Sequence, residues 1–124
     1  MSHWLAIAAG GALGAVLRYG LSTAVYALLG RSFPWGTLAV NVAGSLLMGL
    51  LYVLLVERLG AGPAWRAALL VGLLGAFTTF STFSLETFNL MEEGAWALAA
   101  SNVAASVLLC LAAVWTGIVL GRWL

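Results

Sequence analysis

The chain has 124 residues, of which 64% are hydrophobic and 7% charged, with a net charge of +1. A water-soluble domain carries about a quarter of its residues as charges, so that class is excluded, and so small a net charge leaves no footprint for nucleic acid. One cysteine, one histidine and no aspartate or lysine remove intrachain disulfides, zinc sites and most acid–base pairs; the sequence does not read as an enzyme.

Charges and turn residues divide the chain into four apolar segments, about 4–29, 36–56, 67–91 and 95–120. Each reaches the roughly 20 residues that a helix needs to cross a bilayer core. Backbone groups in hydrocarbon must be satisfied within their own segment, which makes helices the available answer. The expectation is an all-α membrane protein with four transmembrane helices in one domain over residues 1–124. The first segment is too long for a signal-peptide core and has no basic leader, so it reads as a retained helix.

That first helix carries Gly10 and Gly14 at a spacing that lets helices touch closely, and it embeds Arg18. A cation within a span is costly and marks a function. Arg18 stands about eleven residues, or three turns, from Leu29, deep enough to strain simple snorkelling. A water-filled vestibule is favoured, with Glu86 of the same or another subunit as a counter-ion. After the breaker-rich GRSFPW connection at 30–35, the second helix places Thr37, Asn41 and Ser45 four residues apart, with Gly49 on the same line. Positions i and i+4 stack on one face, so these groups serve either as interhelical glue, worth about 0.6 kcal/mol per bond, or as a polar pathway.

The third segment, reached through ERLGAGPA at 57–64, holds GAFTTFSTFSLE at 75–86. On a continuous helical wheel Thr78, Thr79 and Thr82 share a sector, Phe80 and Phe83 take the next, and Phe77, Ser81, Ser84 and Phe88 fill a third. A lone hydroxyl in a membrane helix usually bonds its own i−4 carbonyl. Five within residues 78–84 leave no aliphatic face for lipid and point to a protein surface or a water-lined cavity. Gly72, Gly75 and the threonine pair all have low helix propensity. The helix is thus either interrupted mid-membrane, freeing carbonyls that need a partner, or continuous with close glycine packing. The fourth helix, after EEG at 92–94, repeats the ladder with Asn102, Ser106 and Cys110.

Orientation is weakly specified. Arg58, Arg66 and Arg122 fall on one side and Arg31 on the other, with Arg18 embedded. By the positive-inside rule this admits either an N-inside protein or a chain that inserts both ways and pairs as an antiparallel homodimer. Neutral donors and one embedded positive charge indicate an anion as the permeant species. Phenylalanine edges carry the positive end of the ring quadrupole and accept a small anion, whereas a cation path wants carboxylate rings or inward carbonyls.

The segments GGALGAVLRYG (10–20), GTLAVNVAGSLLMG (36–49) and GLLGAFTTFSTFSLE (72–86) resemble the signature regions of the fluoride channel family, known as Fluc or CrcB, and the likeness covers essentially the whole chain. The resemblance implies a dual-topology antiparallel homodimer of the cell (inner) membrane, with two pores per dimer. Such a dimer passively exports fluoride that entered as neutral HF, reducing fluoride toxicity. It implies Phe80 and Phe83 as pore aromatics meeting the ion edge-on and Asn41 as an amide donor. It further implies Thr37, Ser81, Thr82 and Ser106 as the polar track, and Arg18 as the vestibule arginine. It also implies a structural Na+ at the dimer centre, bound through the backbone carbonyls of Gly75 and Thr78. Two other classes share the outline. A small dual-topology multidrug or cation transporter would need a carboxylate in the first helix, where this chain has Arg18; a structural membrane subunit would need no passage at all.

Overall fold

The computed structural model describes residues 2–124, and among them every regular element is helical. Helix α1 (His3–Leu29) starts at Ser2, whose hydroxyl accepts the Leu5 N–H at 3.2 Å, a side-chain cap on an otherwise orphaned donor. It ends at Gly30, whose φ of 81° is open to glycine at little cost. Helix α2 (Trp35–Arg58) relaxes into π winding over Val53–Arg58. Helix α3 (63–77) opens on Pro63, a residue preset for a first turn, and is π-wound over Ala67–Leu74. Helices α4 (Phe80–Glu92) and α5 (Trp96–Trp123) follow.

Four stretches are long and apolar enough to span a membrane: His3–Leu29, Trp35–Arg58, Pro63–Glu92 and Trp96–Trp123. The third is α3 followed by α4. Between them Thr78 (φ −91°, ψ 162°) and Thr79 (φ −151°, ψ 118°) are extended. The single wheel drawn through 77–88 therefore does not hold: Thr78 and Thr79 lie outside the helix that carries Thr82.

Two pairs of helices meet backbone to backbone. A Cβ on Gly10 or Gly14 of α1 would overlap the carbonyl oxygen of Ala68 or Leu73 in α3, and one on Gly72 would press on Ile7. In α2 and α5, Gly49 lies against the Val114 carbonyl and Gly117 against that of Leu46. The close approach anticipated at Gly10–Gly14 is present, and Gly49, on the line of the polar strip, makes a second one. Such contact replaces the hydrophobic drive that lipid cannot supply between helices. The buried apolar set is correspondingly slim, with Val40, Val53, Leu74 and Phe77 at its centre, while Trp4, Leu28 and Trp115 point outward. At one end Glu57 pairs with Arg122 at 3.0 Å, and Arg58 donates to the Gly121 carbonyl at 3.0 Å, pinning α2 to α5.

Replacing Gly117 by valine should lower stability by about 1–3 kcal/mol, the usual cost of forcing atoms into a filled contact. Gly20→Ala, where nothing lies within 4 Å of the added atom, should have little effect. Melting of the detergent-solubilised protein measures both.

Candidate functional site

The Thr78 N–H makes the last helical bond, to the Leu74 carbonyl; beyond it the extended backbone leaves the ladder, and side chains from two other helices bond groups it leaves over. Asn41 of α2 donates Nδ2–H to the Thr79 carbonyl at 3.0 Å and accepts the Thr79 N–H on Oδ1 at 2.8 Å. Arg18 of α1 donates Nε–H to the Ala76 carbonyl at 3.0 Å, placing a cation at the C-terminal end of α3 where the helix dipole favours it. The Thr79 hydroxyl accepts the Thr82 N–H at 3.1 Å and so caps α4. Gly44 makes room for all this, since a Cβ there would strike the Thr78 methyl.

Around this junction lie two cavities that share Thr79. The first is a groove of about 490 Å³ between α2, α4 and α5, lined by Asn41, Ser45, Phe80, Phe83 and Ser106 among others. The Phe80 and Phe83 ring centroids are 5.4 Å apart with planes tilted by 43°, and Phe80 is 77% exposed on the single chain. The second, about 190 Å³, is lined by Arg18, Tyr26, Thr37, Thr82 and Glu86 among others. The anticipated site residues thus fall into two groups: Asn41, Phe80, Phe83 and Ser106 around the groove, and Arg18, Thr37 and Thr82 around the smaller cavity. Ser81 is exposed and lines neither; its hydroxyl is 3.4 Å from that of Thr79. Thr78 lines the groove and Gly75 is exposed. Of the five hydroxyls in the run, Thr78 and Ser84 bond their own i−4 carbonyls, the ordinary fate of such groups.

Within the chain, Glu86 and Arg18 border the same cavity but form no ion pair. The Glu86 Oε2 accepts the Tyr26 hydroxyl at 2.5 Å and its Oε1 accepts the Thr37 hydroxyl, while the Arg18 Nε–H is directed at the carbonyl of Ala76. Tyr26 in turn lies under the Arg31 guanidinium, 4.4 Å from ring centroid to Cζ, a cation–π contact. A side-chain atom on Gly36 would run into the Tyr26 ring, so the phenol packs closely against the first turn of α2. Tyr26, Arg31, Glu86 and Glu93 also border a third cavity, of about 250 Å³. Sequence reasoning overlooked Tyr26 and Thr79. The first was detectable, because Arg18, Ser22 and Tyr26 recur every four residues; the second was seen as part of a possible interruption, but not as a helix cap or as the partner of Asn41. On the far side, fully buried Asn102 donates to the Thr87 hydroxyl at 2.9 Å, and Thr87 donates to the Phe83 carbonyl at 2.7 Å, fastening α4 to α5.

Four helical stretches long and apolar enough to cross a membrane, packed around cavities that hold hydroxyl and amide groups, define a multi-pass membrane protein. The family model described as "CrcB-like protein, Camphor Resistance (CrcB)" matches residues 5–118, and the chain belongs to that family. A protein of Magnetococcus marinus named "Fluoride-specific ion channel FluC" is 61% identical over 96% of this chain and 95% of its own length. Proteins of the same name from Coxiella burnetii (54% identical over 90% of each chain) and Geobacter sulfurreducens (52% over the full length of both) are similarly related.

Substituting Asn41 by leucine, which has nearly the same shape, should cost about 1–3 kcal/mol for each Thr79 backbone group left without a partner. Thermal or denaturant unfolding in detergent gives the value.

Proposed function

We propose that the chain is a fluoride-specific ion channel that passively exports cytoplasmic fluoride and so limits its toxicity. Its membership of the CrcB family and the names of its relatives support this. The observation that carries the reading is the groove in which Phe80 and Phe83 stand beside Asn41 and Ser106: ring edges and neutral donors suit a small anion. Arg18, Thr37 and Thr82 would continue the path through the smaller cavity, with Ser81 at its margin, and no reaction chemistry is required of any of them.

The groove is mostly apolar with a few polar groups at its wall, and Phe80 is largely uncovered on a single chain; an apolar, aromatic face of this kind suits a protein cover, which would also keep the polar groups from hydrocarbon. The cover we propose is a second copy, inserted in the opposite direction, giving an antiparallel dual-topology homodimer in the cell (inner) membrane. The thin arginine bias between the two sides is compatible with such insertion. In that arrangement the extended Thr78–Thr79 junction would be a mid-membrane interruption of the third span.

The junction also suits a structural Na+. Its hydrogen bonds engage the carbonyls of Leu74, Ala76 and Thr79, and none uses those of Gly75 or Thr78. Neutral oxygens are the donors a hard cation takes. Bound there, the ion would supply positive charge to the free carbonyls of two facing subunits.

Liposomes containing only the purified protein should release fluoride, and Phe80→Ile or Phe83→Ile should lower the rate about tenfold, equivalent to about 1.4 kcal/mol of lost edge-on stabilisation. Undiminished flux in both variants rejects the aromatic pathway. Two lysines added to the loop after α2 should fix one orientation and abolish flux when that chain is expressed alone. Full activity there rejects the antiparallel pair.

A further inference from the structure

We infer that Glu86 sets the affinity of the passage for fluoride, its carboxylate acting as a tethered competitor for hydroxyl donors that a travelling anion would use. The inference rests on the channel reading above. Tyr26 from α1 and Thr37 from α2 both reach into the smaller cavity, and each hydroxyl has a single hydrogen to give. Both are directed at Glu86, one at each carboxylate oxygen. An ionised carboxylate oxygen and a fluoride ion make the same demand, a short charge-assisted hydrogen bond, so the two cannot hold these hydrogens together.

The position of Glu86 makes the competition matter. It borders both the inner cavity with Arg18, Thr79 and Thr82 and the neighbouring one with Arg31, Asn89 and Glu93. An anion moving from one to the other passes this carboxylate. The charged and titratable groups bordering these cavities with it are Arg18, Tyr19 and Tyr26 from α1, Arg31 from the following loop, and Glu93 just after α4; α5 contributes none to either cavity. Neither arginine forms an ion pair with it. Arg18 is engaged with the Ala76 carbonyl and Arg31 lies over the Tyr26 ring. Hydroxyl hydrogens alone are seen to hold the carboxylate, and an arriving anion can take them in exchange.

The experiment is fluoride flux into or out of liposomes as a function of fluoride concentration, for the wild-type chain and Glu86→Gln. Glutamine keeps the shape and removes the charge; its amide nitrogen can donate to one hydroxyl oxygen and free that hydrogen for the ion, while its neutral carbonyl holds the other hydrogen less strongly than a carboxylate does. The half-saturating fluoride concentration should fall about tenfold, as expected when a competitor holds about nine-tenths of competent sites, with maximal flux not reduced. Should the glutamine variant fail to fold, Glu86→Asp, which withdraws the carboxylate by one methylene, should lower half-saturation in the same direction by less. A half-saturation that does not move in a folded variant, or a loss of maximal flux and melting temperature together, overturns the inference while leaving the channel intact. Flux that never saturates in either chain overturns it too, since no site then limits passage. Absence of flux from the wild-type chain overturns the channel reading and this one with it.

Discussion

Hydrocarbon offers no partner to a peptide group, and the run at residues 78–79 departs from the one local structure that supplies partners automatically. Asn41 answers this by bonding both backbone groups of Thr79, while Arg18 takes the carbonyl of Ala76 and the Thr79 hydroxyl starts α4. Phe80 and Phe83 occupy the first turn of the helix that this arrangement begins, so their placement follows from it. A carboxamide is the side chain for the task because it donates and accepts from one rigid plane.

The rest of the molecule divides its labour accordingly. Glycines bring α1 onto α3 and α2 onto α5 at backbone distance, giving a scaffold held by van der Waals contact. Helix α4 is tied mainly through polar links: Thr79 to Asn41, Glu86 to Tyr26 and Thr37, and Thr87 to Asn102. Inside a membrane such links are modest singly, and together they bind the element that carries the phenylalanines to all three of its neighbours.

Much of this was legible in the sequence. Apolar runs between charges located the four spans to within a few residues, and the glycine spacings identified surfaces that do meet. The TTFSTF run marked a stretch that borders both cavities, while the strip Thr37, Asn41, Ser45 divides between them, Thr37 on the smaller and the other two on the groove. What escaped was geometry. A wheel assumes a continuous helix, so it merged Thr79 with Thr82, although one caps the helix that the other belongs to. Pairing of Arg18 with Glu86 was a charge argument. Within one chain each finds another partner, Arg18 the carbonyl end of α3 and Glu86 the hydroxyls of Tyr26 and Thr37, and no local pattern reveals neighbours that are 58 or 60 positions apart in the chain.

Gly36 illustrates how far such a neighbour reaches. Because it has no side chain, the aromatic plane of Tyr26 settles against α2, and the phenolic oxygen is thereby brought between Thr37 and the carboxylate. Even a methyl group at this spot would lever the ring away and detach its oxygen from both. The position of a hydroxyl in this cavity is therefore dictated by an atom that is missing, and a residue lacking any functional group governs where a proton donor stands.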